Sequence, residues 1–415
     1  MSTPTPVEGV LVLYHFIPPY AETVLEHALA FERHSRFPVW SLNTAERFPA
    51  ALEDLDFRVV VLHYSLFGSA DYRLDASYRD WLGRHEGLTV AFFQDEYQHT
   101  AQRFAFIDNH RVDWVYTLLG PEPAAAVYGT RTRGPRLFTT IPGFVGDDLL
   151  GHAAAFARPD AERTIDIGYR ARTLPFATGR GGREKSEIGR EFASRAADRG
   201  LRLDIGVDEA DRLYGDAWYR FLGSCRAVLG VEAGVSVFDL DDRATPAVAA
   251  YLGAHPAAAF EEVEREVLAP FEEAIPYRTI SPRHFEAAAF GTCQILFEGE
   301  YSGLMEAGTH FIALRKDFAN LDEVVATFRD EAARARIVAA ARRDLVDSGR
   351  HTYRSFVAGF DEELERAGIA VPAGGRARAI DRALARGARL RRAERRLRTA
   401  YWRARVGARR ARRSA

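Results

Sequence analysis

Apolar residues in this chain fall into short runs separated by stretches of helical periodicity. GVLVLYH (9–15) is almost continuously apolar, the pattern of a strand covered on both faces. FPVWSLN (37–43), RVVVLHYSL (58–66), LTVAFFQDEYQ (88–98), DWVYTLL (113–119) and LFTTIP (137–142) repeat it, with helical stretches such as 22–35 and 72–85 between them. Strands alternating with helices at this spacing predict a βαβ sheet with helices on both faces. Residues 146–163 lose the strand pattern and turn rich in Gly, Ala, Asp and Arg, which reads as an interdomain linker. Strand patterns then resume at 164–172, 201–207 and 226–240, with helices predicted at 216–222, 247–272, from 321, and at 334–348 and 353–367. The expected fold is α/β, with two Rossmann-like domains over 1–150 and 160–350, a helix within 351–370, and a tail over 373–415.

Four features of the whole chain sharpen this picture. At 415 residues with 47% hydrophobic content the chain can fill two cores. Two cysteines, Cys225 and Cys293, make neither a disulfide framework nor a zinc site. The first residues lack a signal-peptide pattern and no apolar run has the length of a membrane span, so a cytoplasmic protein is expected. The fourth feature is charge. Residues 376–413 hold sixteen Arg against Asp381 and Glu394, a net of +14, which leaves −16 for the rest of a chain whose total is −2. An acidic body carries an arginine-rich, helix-favouring tail.

Candidate chemistry sits at strand ends, where open α/β sheets place ligands. No GxGxxG follows the first strand, so a dinucleotide site is not supported. The first half offers His15, His63 and above all Gln94, Asp95 and Glu96, polar residues directly after LTVAFF. In the second half, TIDIGYRAR is followed by PFATGRGG and a helix, an order that can present backbone amides to phosphate. Arg170, Arg172 and Lys185 surround that loop, and its spacing is not that of a Walker A motif. Glu232 ends a later strand. The acidic run DLDD (239–242) reads as a turn and helix cap, so no metal site is expected. PYRTISPRHFEAAAFGTCQILFEGEYSG (276–303) reads as strand, Ser-Pro entry, short helix, strand and glycine-bounded loop. It sets Arg283 and Glu286 on one helix face, either as a solvated ion pair or as phosphate and ribose ligands.

That last segment, with its EAAAFG, FEGEYSG and HFIALRKDFANLDEVV, resembles the C-terminal donor-binding region of GT-B glycosyltransferases. It is most similar to the CgeB-like group with a family 1-type C-terminal domain. The resemblance is good over 165–355 and loose over 1–150. It implies two Rossmann-like domains facing a cleft and a terminal helix crossing back to the first domain, for which 353–367 is the candidate. It also implies transfer of a sugar from a nucleotide-diphosphate sugar to an acceptor hydroxyl, with the donor a substrate and no cofactor or metal. Glu286 would hold the ribose; Arg170, Arg172, Lys185 and Arg283 the diphosphate; and Glu232, Tyr301, Ser302 and Gly303 would complete the donor site. Asp95, and next Glu96, would be catalytic, with His15, His63 and Gln94 contacting acceptor or sugar. Many relatives carry a second Glu eight positions before the first, where this chain has Arg278. That substitution supports a non-catalytic scaffold as the alternative, and a nucleotide-sugar epimerase is a third reading. The acceptor expected is a polysaccharide, lipid-linked or other glycan. The tail is expected to bind an anionic inner-membrane surface in preference to nucleic acid, for which the body has no recognition motif.

Overall fold

The computed structural model describes residues 4–18, 22–68 and 72–384. Six parallel strands form the first sheet: β1 (Thr5–Tyr14), β2 (Val39–Asn43), β3 (Leu55–Leu62), β4 (Leu88–Phe92), β5 (Trp114–Thr117) and β6 (Arg136–Thr139), in the order β2-β1-β3-β4-β5-β6. Val10 to Leu13 of β1 are fully buried, as their unbroken apolar run requires. The second sheet is also parallel, with β7 (Ile165–Arg170), β8 (Leu203–Gly206), β9 (Cys225–Gly230), β12 (Cys293–Phe297) and β13 (Ile312–Leu314) in the order β13-β12-β9-β7-β8. The chain leaves β7 toward β8 on one side and then builds β9, β12 and β13 on the other. The order therefore reverses between β7 and β9, which opens a crevice at their carboxyl ends.

Strands are expected over 226–240 and from Pro276, but not their pairing: β10 (Ala233–Val237) and antiparallel β11 (Glu272–Thr279), joined through helical segments between 244 and 268, form a two-stranded sheet that grips the first domain. Val235, Phe238 and Tyr277 join the apolar cluster of the first domain. The Tyr277 hydroxyl accepts from the Glu96 amide at 3.3 Å, and the Asp239 amide donates to the Tyr97 carbonyl at 2.8 Å. The DLDD run is a double cap. Asp239 accepts from the amides of Arg243, Ala244 and Thr245, while Asp242 reaches across to the amides of Thr100 and Ala101, each at 3.0 Å, at the start of helix Thr100–Asn109. One domain thus satisfies the orphan donors of a helix in the other.

Two boundaries, at the linker and at Pro372, differ from expectation. Residues 147–156 are no open linker: helix Asp147–Phe156 buries Leu149 and Ala153, four residues apart, in the second domain's apolar cluster. Helix Tyr353–Arg366 lies on the first sheet, with Val357, Phe360 and Leu364 packed beside β1, β3 and β4. Asp361 fixes it there by accepting from Ser35 Oγ and the Arg36 amide, both at 2.7 Å. Past the change in composition at Pro372 the chain stays attached. Asp381 accepts from the Trp40 indole at 2.9 Å and from Arg376 at 2.7 Å, and Ile380 and Leu384 pack into the first domain's core. The expected basic tail beyond Leu384 lies outside the described residues.

Replacing Asp242 by Ala removes a helix cap that spans the two domains. The expected loss is about 1 kcal/mol of unfolding free energy, the usual cost of an N-cap deletion, measured by urea denaturation. An unchanged midpoint would show that the cap carries no load.

Candidate functional site

A cavity of about 280 Å³ occupies the crevice at the ends of β7 and β9, between the domains. β7 brings Arg170 and, just beyond it, Arg172; β9 leads into Val231 and Glu232; helix Pro282–Ala289 contributes Arg283 and His284; and the first domain supplies Asp95 and Tyr97. Asp95 follows β4 with φ of +54°, a left-handed conformation that Asp tolerates better than most residues, and it turns the carboxylate toward the second domain. Asp95 is exposed at the crevice, and the protein atoms crowding its carboxylate raise its pKa, opposed by the positive charges of Lys185 and Arg172 across the cleft. The Arg172 guanidinium is exposed and makes no hydrogen bond or ion pair among the described residues.

Lys185 projects from helix Gly179–Arg195, and its ammonium donates to the Gly234 carbonyl at 2.6 Å. Burial pushes its pKa down to about 8, with Asp95 pulling the other way. Gly234 holds φ of +86°, and a Cβ there would meet the Tyr277 carbonyl at 1.9 Å, so only glycine lets this backbone present its oxygen to Lys185.

Beside this cavity lies a second one of about 210 Å³, shared by Arg170, Arg212, Trp218, Ser281 and Arg283, with Glu286 in its wall. Glu286 is 6% exposed, and its pKa is raised by burial. It makes no ion pair with Arg283. Its Oε2 accepts from the Trp218 indole at 2.9 Å, and the Arg283 guanidinium stacks over the Trp218 ring at 4.9 Å while donating to the Arg170 carbonyl. The second carboxylate oxygen of Glu286 has no protein partner among the described residues.

Several expected site residues are employed elsewhere. Glu96 is fully buried and turned into the first domain, where it accepts from Thr117 Oγ at 2.7 Å, from the Leu118 amide at 2.8 Å and from the Tyr128 hydroxyl. It satisfies the core and does not reach the cavity. His63 is likewise buried, against His27 Nδ1 at 3.0 Å and Ser65 Oγ at 2.8 Å. His15 sits 3.3 Å from Thr44 Oγ, its pKa lowered by burial to about 4, and neither it nor Gln94 lines the cavity. The Arg170 guanidinium is held by the Asp204 carboxylate at 2.7 Å and lies over the Phe221 ring. Tyr301 is a core residue whose hydroxyl donates to the Phe297 carbonyl; Ser302 Oγ contacts Thr279 Oγ at 2.8 Å; Gly303 turns the loop at φ of +70°. Glu232 does line the cavity, but its carboxylate also accepts from the amides of Glu300 and Tyr301.

The glycine-rich loop differs most from expectation. The first amides of helix Gly179–Arg195 are already bonded, Arg180 to the Glu272 carboxylate and Gly181 to Ser236 Oγ, each at 2.8 Å. Its glycines serve close packing, since a Cβ on Gly181 would lie 2.6 Å from the Arg278 guanidinium. Arg278 in turn pairs with Glu184 at 2.9 Å and Glu273 at 2.8 Å, outside the cavity. Trp218 and Gly234, which organise Glu286 and Lys185, carried no motif. The one available signal was a tryptophan whose N–H, when buried, needs an acceptor.

Residues 189–360 match the family described as glycosyl transferase-like, Glyco_trans_1_2. The structure is similar to an alpha-glucosyltransferase in complex with UDP-glucose and DNA containing an abasic site, at 10% identity over 86% of this chain and 98% of that one, with a TM-score of 0.51. The fold is GT-B. Two further structures overlap more distantly: HepE of Anabaena with UDP and glucose (11% identity, 86% and 99% coverage, TM-score 0.47) and an S. aureus TarM mutant with UDP (11%, 80% and 58%, 0.43). This GT-B chain spans 57–58% of the length of the TarM structures. No curated protein sequence matches it.

The ammonium of Lys185 should titrate near pH 8 and not near the ordinary 10.5. Reductive methylation with isotopic label and NMR against a Lys185→Arg control reads this directly. A midpoint close to 10.5 would mean that the cleft leaves Lys185 hydrated.

Proposed function

We propose that the protein is a glycosyltransferase that moves a sugar from a nucleotide-diphosphate sugar to an acceptor hydroxyl, without a metal. The observation that carries this reading is the meeting, over one crevice between the domains, of Arg172 and Lys185 from one side with Asp95 from the other, beside buried Glu286. Arg172 makes no hydrogen bond or ion pair among the described residues, so a diphosphate would supply it with a partner. Lys185 already leans on a carbonyl and would exchange a neutral acceptor for a charged one. Fixed positive charge at the leaving diphosphate stabilises the transition state where charge develops. The Trp218 indole occupies one oxygen of Glu286 and leaves the other to accept from a ribose hydroxyl. Arg283, stacked on Trp218, closes the nucleoside end.

Asp95 is then the group nearest the transferred sugar, and its raised pKa suits a role in orienting or deprotonating an acceptor hydroxyl. Enclosure by the two domains would limit hydrolysis of the donor. Arg278, which stands where many relatives carry a second Glu, is committed to Glu184 and Glu273 and does not fill the sugar pocket.

The chain from residue 385 onward holds thirteen Arg and one acid. This segment would bring the enzyme to an anionic inner-membrane surface, each Arg near the surface contributing about 1 kcal/mol. No helix among the described residues is long and apolar enough to cross a membrane.

Glu286→Ala is expected to weaken UDP-sugar or GDP-sugar binding by roughly tenfold, the scale of a hydrogen bond to a charged group, with an unchanged far-UV spectrum. Equal affinity would remove Glu286 from the ribose, and loss of transfer in EDTA would remove the metal-free mechanism. Deleting residues 385–415, and so sparing the docked Ile380 and Leu384, should abolish co-sedimentation with phosphatidylglycerol vesicles while donor binding persists. Undiminished co-sedimentation would exclude the tail as the anchor.

A further inference from the structure

Away from the donor crevice, a groove of about 740 Å³ runs along β6, the outer strand of the first sheet, beneath helix Tyr353–Arg366. Its walls are apolar, chiefly Leu137 and Phe138 of the strand and Phe356 and Phe360 of the helix. Two charged residues mark it, and they differ. Glu363 is neutralised twice, by Arg136 at 2.6 Å and by Arg366. The Arg350 guanidinium has no hydrogen bond or ion pair among the described residues. Arg350 directly precedes the crossing between the domains, where Val145 bridges Thr352 and its amide donates to the His351 carbonyl, and it lines the groove together with Thr140, just past the carboxyl end of β6. Strands of this sheet direct their carboxyl ends toward the cleft, Asp95 following β4 in the same way.

The helix is also shaped for an open groove. Gly359 lies in its interior, where glycine is unfavourable, and a Cβ there would find no atom within 4 Å. Neither a tight contact nor a positive φ calls for glycine at this exposed position, and its missing side chain leaves open space on the wall of the groove.

We propose that this groove holds the hydrocarbon chain of an anionic amphiphile whose phosphate pairs with Arg350, the lipid-linked form of the acceptor. This rests on the glycosyltransferase reading for the word acceptor alone; the binding site stands without it. Charge complementarity selects the occupant. A neutral hydrocarbon leaves Arg350 unpaired, and free phosphate leaves the apolar walls wet. The phosphate end then lies at the cleft side of the sheet and the chain runs away from it, so that a glycan on that phosphate extends toward Asp95.

The test is calorimetric titration of the full chain with dodecyl phosphate below its micelle concentration, alongside dodecanol and inorganic phosphate. The unaltered protein should bind dodecyl phosphate. Gly359→Trp, which fills the groove, should weaken binding at least about tenfold, and Arg350→Glu should weaken dodecyl phosphate about tenfold while sparing dodecanol. The arginine-rich tail is identical in all three proteins, so it cannot produce these differences. Binding undiminished by Gly359→Trp, or equalled by inorganic phosphate, overturns the proposal. So does a loss of self-association in Gly359→Trp without any loss of amphiphile, which would assign the groove to a second copy of the chain. A thermal shift with UDP on the same proteins should be equal for all; its absence throughout would count against the donor site while leaving the groove result intact.

Discussion

The arrangement of this molecule depends on how the segment just after β4 is held. Between Glu96 and Ala101 the chain has no regular structure until the helix begins, and it is tied at both faces. The buried carboxylate of Glu96 anchors it to β5 and to Tyr128, and β11, together with the loop that follows β10, binds it from the other domain. Asp95 stands immediately ahead of these ties. Its left-handed backbone costs free energy that a loose loop would not sustain, and the ties on its carboxyl side hold it in place. Facing it, Lys185 is steered by a carbonyl of β10. One two-stranded sheet therefore positions both charged partners of the crevice, one by grip and one by hydrogen bond.

The two parallel sheets were legible because buried parallel strands write themselves as unbroken apolar runs. The region of the crevice was legible too, since polar residues such as Asp95 and Arg172 directly after such runs have few core uses. Direction was not legible. Asp95 and Glu96 are adjacent and chemically alike, and only the positive φ at Asp95 and the acceptor demands of Thr117, Leu118 and Tyr128 decide which one faces the cavity. His63 is hidden for the same reason: a strand-end histidine is neutral enough to bury, and His27, its partner, lies on a different element.

The glycine-rich loop shows a second limit. Its spacing suggested bare amides, but amides are free only if nothing distant in sequence bonds them, and Glu272 and Ser236 lie many residues away. The pairing that supplies both was itself concealed, because Glu272 falls at the end of the helix expected over 247–272 and the strand is expected only from Pro276. β11 mixes exposed acids with a proline, so it lacks the apolar signature of the main strands. Conversely, the pairing of Trp218 with Glu286 joins two short helices 68 positions apart, and no local pattern announces it.

The attachment of Asp381 to Trp40 bears on how the polypeptide can be divided. Judged by composition, a scissor cut at Pro372 looks clean. It would strip Ile380 and Leu384 from the outer flank of the first sheet, orphan an indole N–H, and uncover greasy surface beside β2. Recombinant fragments trimmed there would arrive sticky and polydisperse, whereas a stop codon placed after Leu384 keeps that flank clothed.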